Sequence, residues 1–191
     1  MTWRSTDTST PTAMGLIELS SIARGMETTD GALKAADVQL VMARTICSGK
    51  YILIVSGDVG DVEASVAVGL DIARECAIDS FVISDVHPDV FPALSSTNRL
   101  PRKGAIGIIE AFSVASLVEA IDQVAKTAEV EVVECRLAMA LGGKAYIVFT
   151  GEVEAVRSSV QAGVEVVEKR GLLVNQVVLP NPRPELFETF L

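Results

Sequence analysis

The sequence contains a single histidine, His87, among 191 residues. A Ser/His/Asp arrangement depends on a positioned histidine, and many metal sites depend on two. So little histidine leaves almost no basis for a conventional acid/base or metal-hydrolase site. We therefore expect a protein that is not an enzyme.

Cysteine is also scarce. The three cysteines, Cys47, Cys76 and Cys135, are an odd number and show no zinc-like spacing within one chain. This pattern argues against a disulfide framework and favours a reducing compartment, so we expect a cytoplasmic protein.

Long apolar runs and basic patches are missing as well. No run approaches the roughly 18 apolar residues that span a bilayer, and the first dozen residues are polar and lack a secretory apolar region. The formal net charge is −9 and the pI is about 4.6. We expect neither a membrane nor a nucleic-acid partner, because nucleic-acid binding needs a basic surface.

A long internal repeat organises the chain. The segment that begins Gly-Leu-Ile-Glu at Gly15 recurs as Gly-Ile-Ile-Glu at Gly107, an offset of 92 residues. After a two-residue insertion, Gly49-Lys50 matches Gly143-Lys144 at an offset of 94. A repeat of this length indicates a duplicated domain rather than a solenoid unit.

Each copy predicts the order β-α-β-β-α-β. In the first copy, strands are predicted at 14–19, 38–46, 51–56 and 81–84, with helices beginning at 21 and 57 and a short closing turn or helix at 88–94. The second copy repeats the order at 105–111, 113–128, 130–138, 146–150, 152–170 and 173–179. We therefore predict an α+β protein of two tandem ferredoxin-like (βαββαβ) domains, each with an antiparallel sheet covered by two helices.

The spacing of apolar residues predicts which helix faces are buried. On the first helix, the predicted inward face carries Ile22, Met26, Leu33 and Ala36. The predicted organisation is an arm at 1–12, a first domain at 13–94, a linker at 95–103 and a second domain at 104–191. Cys135 alternates with apolar neighbours along a strand and is predicted to be a small core residue, whereas Cys76 is predicted to be partly exposed.

The repeated motifs resemble those of bacterial microcompartment shell domains. The resemblance is carried by Gly15-Leu-Ile-Glu-Leu, by Leu33-Lys34-Ala35-Ala36-Asp37-Val38 and by Cys47-Ser48-Gly49-Lys50 with Gly57-Asp58-Val59, each matched in the second copy. Two unpermuted copies in one chain resemble the tandem-domain, trimeric shell proteins, and above all the T-type tile of propanediol-utilisation compartments, which is described as carrying an iron–sulfur cluster. The resemblance implies a pseudohexameric homotrimer, because each chain supplies two of six domains.

The same resemblance implies a central pore. In such tiles the loop between the second and third strands of each domain lines the pore. The implied pore-lining residues are Ile46, Cys47, Ser48 and Gly49 from the first domain and Met139, Ala140, Leu141, Gly142 and Gly143 from the second.

Cys47 admits two interpretations. It can be a small residue tolerated in a tight turn, or one of three thiolates that threefold symmetry brings together as ligands of a 4Fe-4S cluster. We favour the metal ligand, because Cys47 lies in a polar turn and the repeat diverges in length at this point. Such a cluster usually takes four thiolates, so its fourth ligand would be non-protein or absent.

The resemblance also assigns a tile edge. Lys34 and Lys126 occupy the position where neighbouring shell tiles meet, and Arg183 matches the edge arginine of the family, while the first copy has His87 there. Solvated helix lysines remain the simpler interpretation of the first two.

The functional prediction is a shell tile whose pore conducts small molecules or electrons into an enzyme-filled compartment. Its expected partners are its own copies, other shell proteins and an encapsulated redox enzyme. Two alternatives remain: a plain metabolite pore without a cluster, and a regulatory module that binds small ligands, as tandem ferredoxin-like domains also do.

Overall fold

The computed structural model describes residues 11–94, 104–138 and 141–189. The predicted linker lies outside these residues, as does almost all of the predicted N-terminal arm. The chain divides into two compact units, Met1–Val86 and His87–Leu191.

The first unit is a four-stranded antiparallel sheet with two long helices. Its sheet order is β2-β3-β1-β4, and two helices, α1 and α2, pack against each other. The elements are β1 (Ala13–Leu19), α1 (Ile22–Ala35), β2 (Gln39–Ile46), β3 (Lys50–Gly57), α2 (Val59–Ala73), a 3-10 turn (Arg74–Cys76) and β4 (Ala77–Ile83).

The second unit repeats this arrangement and is preceded by a short helix. Its sheet order is β6-β7-β5-β8, and the short helix packs on the first long helix and the first edge strand of the unit. The elements are α3 (Val90–Leu94), β5 (Ala105–Ala111), α4 (Val114–Thr127), β6 (Val130–Leu137), β7 (Ala145–Gly151), α5 (Val153–Glu168), β8 (Leu173–Leu179) and α6 (Pro184–Phe187). The βαββαβ prediction is confirmed in both copies.

The repeated glycines let a helix approach the central strand of each sheet. A Cβ at Gly15 would lie 2.4 Å from a methyl carbon of Val66 on α2, and one at Gly107 would lie 2.9 Å from a methyl carbon of Val160 on α5. Both distances are shorter than real side chains tolerate. Glycine at these two positions therefore allows close packing against the inner strand, which explains why it recurs at the start of both copies.

The predicted inward face of α1 is wrong for two of its residues. Ile22 and Met26 are exposed, whereas small residues of α1 are buried instead. Those residues are Gly25, Thr28, Thr29 and Ala32. Gly25 lies so close to Tyr51 that a Cβ there would be 2.4 Å from the ring. The helix therefore packs through its small residues and Leu33, while Ile22 and Met26 are exposed.

Two smaller predictions have clear outcomes. Cys135 is buried on β6, which confirms it as a core residue. Cys76 is partly exposed, as predicted, but it ends a 3-10 turn and not the α-helix itself. None of the helices in the described parts of the chain is long and apolar enough to cross a membrane.

Candidate pore loops and tile edge

The first candidate pore loop is the tight turn that joins β2 to β3. Ile46 ends β2 and is buried, Cys47 is partly exposed, and Ser48 and Gly49 are exposed. Gly49 has φ 81°, a left-handed conformation that glycine adopts without steric cost. No described atom lies within 4 Å of the position that a Cβ would take at Gly49. The turn therefore leaves Cys47 partly exposed and has open space beside Gly49.

A buried ion pair fixes the end of this turn. The Lys50 ammonium, at the start of β3, donates to Oε1 of Glu18 at 2.8 Å. The Glu18 carboxylate is almost fully buried, and its Oε2 has no hydrogen-bond partner among the described residues. Because a buried carboxylate is costly without a counter-charge, Lys50 is held in place and constrains the turn beside it.

The second candidate pore loop is longer and richer in glycine. Leu141 is partly buried, and Gly142 and Gly143 have φ of 61° and 89°. The N–H of Lys144 closes the turn by donating to the Leu141 carbonyl at 3.2 Å. Met139 and Ala140, also predicted to line the pore, lie outside the described residues.

The three cysteines lie on three different elements. Cys135 lies inside β6, Cys76 ends the 3-10 turn, and Cys47 lies in the first pore loop. In the parts of the chain that the structure describes, no group of three or more His, Cys, Asp or Glu side chains is placed to hold a metal ion. One chain offers Cys47 alone at the loop, so a metal there requires further chains.

The two predicted edge lysines lie in unlike surroundings. Lys34 is largely exposed and pairs with Asp30 at 2.6 Å. Lys126 is mostly covered and pairs at 2.7 Å with Asp122, which is itself buried. The other carboxylate oxygen of Asp122 accepts the backbone N–H of His87 at 2.7 Å. The structure thus brings Lys126 and His87 together through one carboxylate, a link that the sequence prediction did not include.

Arg183 is the most exposed of the predicted edge residues. It precedes α6 and pairs with Glu185, with a shortest distance of 2.9 Å. Their hydrogen bonds raise the pKa of Arg183 above its usual range and lower the pKa of Glu185. Both groups are therefore charged near neutral pH and available at the surface.

The sequence prediction did not single out the two buried carboxylates, Glu18 and Asp122, although the repeat contains a signal for both. Glu18 and Asp30 recur as Glu110 and Asp122 at the offset of 92, together with their lysine partners. Acids that recur with a matching base indicate ion pairs that belong to the domain scaffold. What the repeat could not show is which copy of each pair is buried.

A family model for the BMC domain matches residues 13–86 and 105–182. The chain belongs to the BMC-domain family. It is 39% identical to the bacterial microcompartment shell protein PduT of Citrobacter freundii, over 92% of this chain and 95% of that protein. Among solved structures, a microcompartment protein from Desulfitobacterium hafniense has a TM-score of 0.86 at 46% identity, covering 92% of this chain and 98% of the other.

A more distant structure shares the fold only. The fused permuted hexameric shell protein MSM0275 has a TM-score of 0.61 at 22% identity, covering 83% of this chain and 82% of the other. The BMC-domain matches, together with the relatives from Citrobacter freundii and Desulfitobacterium hafniense, make the chain a structural protein of a bacterial microcompartment shell, with a structural rather than a catalytic role. The family predicted from the repeated motifs is confirmed.

Proposed function

We propose that this shell protein forms a homotrimeric tile whose central pore holds a 4Fe-4S cluster through Cys47 of all three chains. The observation that carries the proposal is the placement of Cys47. It stands in the short β2–β3 turn of the first BMC domain, partly exposed, and the corresponding loop of the second domain is longer and has no cysteine.

In a threefold-symmetric trimer, one cysteine per chain would be sufficient to supply three thiolate ligands. A ring of three chains repeats each residue three times around its axis, so turns that line a central pore would bring three Cys47 thiols together. Thiolates are soft ligands suited to iron–sulfur chemistry, and three of them without a metal would repel one another. Ser48 is exposed and the space beside Gly49 is open, which supports a turn that could face a bound group.

The residues of the turn fit such a group as ligand and support. Cys47 would supply the only protein ligand from each chain, and the Glu18–Lys50 pair would hold the turn in position. The fourth iron position would then be open or filled by a non-protein ligand, since these clusters usually take four thiolates. When bound, the cluster would supply one-electron redox chemistry in the shell, for electron transfer or for delivery of the cluster itself.

The proposed partners follow from this role. A flat tile with charged edge residues would meet other shell proteins through Lys34, Lys126, His87 and Arg183. A redox-active pore would serve an encapsulated redox enzyme. A plain metabolite pore, in which Cys47 is only a small turn residue, is the competing function within the same family.

The proposal is tested by purifying the full chain without oxygen and measuring its iron content, visible spectrum and mass in solution. We expect a trimer with a broad visible absorption band and about four irons per three chains. Cys47→Ser should lose iron and colour while keeping the trimer, because serine fits the same turn. Cys76→Ser is the matched control and should keep both.

Either of two results would overturn this function. Full iron content in Cys47→Ser would remove the ligand assignment and leave the plain pore. A parent protein that stays monomeric at micromolar concentration would remove the pore itself.

A further inference from the structure

One stripe of α1 is exposed although its counterpart on α4 is buried. Four α1 residues recur at intervals of four and so share one helix face; this α1 stripe consists of Ile22, Met26, Asp30 and Lys34. At the repeat offset of 92, its counterparts are Val114, Val118, Asp122 and Lys126. Met26 is 59% exposed and Val118 0%. The side chain of Asp30 is 65% exposed and that of Asp122 only 8%.

The difference extends to the neighbouring edge strand. Leu40 on β2 is 42% exposed, whereas its counterpart Val132 on β6 is 3% exposed. Single exposed apolar side chains are common and need no explanation. A row of them that is buried in the second copy of the same fold indicates a surface built to be covered.

The second unit shows what lies against this face. Residues 87–94, the first closing segment, contain α3, which packs on α4 and β6. The backbone N–H of His87 donates to Asp122 at 2.7 Å, and Val90 and Phe91 are buried. The segment thus combines one hydrogen bond to a buried carboxylate with apolar packing.

The same segment occurs a second time in the chain. Ile83 of β4 and Leu179 of β8 pair with equivalent residues of β1 and β5. Counted from these two residues, Arg183 is the counterpart of His87, and α6 overlaps the positions equivalent to α3 at Leu186 and Phe187. Phe187, the counterpart of Phe91, is buried against Ile106, Val133 and Val148 of its own unit. Residues 183–187 therefore form the second closing segment, and its Arg183 side chain is 85% exposed.

We propose that the second closing segment of one chain packs on the α1 stripe and β2 of the next copy. In this contact the backbone N–H of Arg183 donates to the Asp30 carboxylate of the neighbouring chain, as His87 does to Asp122 within the second unit. Ile22, Met26 and Leu40 become covered, and Lys34 keeps its pair with Asp30 at the outer end of the stripe.

This contact rests on the proposed trimer and specifies how it closes. The donor segment belongs to the second unit and the accepting stripe to the first, so the contact joins two unlike surfaces and the interface is head-to-tail. Head-to-tail interfaces close into a ring when the rotation between copies permits. One chain would then supply a donor segment to one neighbour and a stripe to the other.

A pair of engineered cysteines tests the contact directly. In a Cys47→Ser, Cys76→Ser background, Asp30→Cys with Arg183→Cys should give disulfide-linked dimers and trimers on a non-reducing gel after mild oxidation. Asp122→Cys with His87→Cys is the matched control, because those positions are already in contact within one chain. The control should crosslink within the chain and run as a monomer.

A single substitution and the parent protein distinguish a wrong interface from a wrong oligomeric state. Asp30→Cys alone should give no trimer band. If light scattering shows a trimer of the doubly substituted protein but no crosslink forms, the α1 stripe is not the interface, while the proposed tile survives. If the parent is a monomer, the proposed function fails with it.

A second variant tests the apolar part of the stripe without any crosslink. Met26→Lys should raise the concentration needed for half-assembly by at least about tenfold, because it places a charge in a covered apolar contact. Val68→Lys is the control, since Val68 is an exposed apolar residue of α2 outside the stripe. Equal assembly of the two variants, both with parental circular dichroism, would overturn the proposal.

Discussion

Glu18 and Lys50 form the ion pair that lies next to the first pore loop, and its burial makes it sensitive to mutation. We expect Lys50→Met to destabilise the first unit by about 3–5 kcal/mol, because it leaves a buried carboxylate without its counter-charge. Lys144→Met is the matched control, since the Glu110–Lys144 pair of the second unit is considerably more exposed. That variant should cost at most about 1 kcal/mol. Urea unfolding of both variants measures the difference, and equal losses would contradict it.

At the scale of single elements, a serine of the second helix of each unit supports the first. Ser65 donates to the Ala32 carbonyl near the end of α1 at 3.0 Å, and Ser159 donates to the Val124 carbonyl of α4 at 3.1 Å. The last carbonyls of a helix have no partner within it, so these hydroxyls supply one. We expect Ser65→Ala and Ser159→Ala each to cost about 1–3 kcal/mol in thermal or urea unfolding, because a buried carbonyl loses its partner.

An exposed serine next to Ser159 offers a control for that prediction. Ser158→Ala, at an exposed position on α5, should change stability by less than about 0.5 kcal/mol. If all three substitutions changed the free energy of unfolding equally little, the hydrogen bonds of the two buried serines would not stabilise the fold.

The elements also show how far the sequence could be interpreted. The repeat and the apolar periodicity predicted the strand and helix order of both units, since the same pattern had to hold in each copy. They could not orient α1, because its apolar stripe at Ile22 and Met26 looks like a core face in isolation. The orientation of α1 depends on the close approach of Gly25 to Tyr51, a contact between residues that are distant in the sequence. Asp30 is exposed and Asp122 is buried, although both are aspartates at equivalent positions of the repeat. This difference arises from tertiary packing, which the residue types alone do not predict.

At the scale of the whole molecule, the structure changes which residue best tests the tile edge. Lys126 neutralises the buried Asp122, so reversing its charge would place two anions together inside the second unit. Such a variant would lose stability as well as any edge contact, and the two losses could not be separated. Arg183 avoids this difficulty, because its side chain is exposed and pairs locally with Glu185.

We therefore predict that Arg183→Ala keeps the fold and the trimer but abolishes lateral assembly into sheets. The backbone N–H at position 183 is unchanged, so the contact proposed for the α1 stripe is retained, while the edge loses its guanidinium. Electron microscopy of concentrated protein and light scattering of dilute protein measure the two levels of assembly separately. Arg157→Ala is the control, because Arg157 is an exposed arginine on α5 whose pair with Glu154 is long, at 3.8 Å. Sheets formed equally well by both variants would make Arg183 an ordinary surface residue, and loss of the trimer in Arg183→Ala would place its side chain in the interface between chains instead.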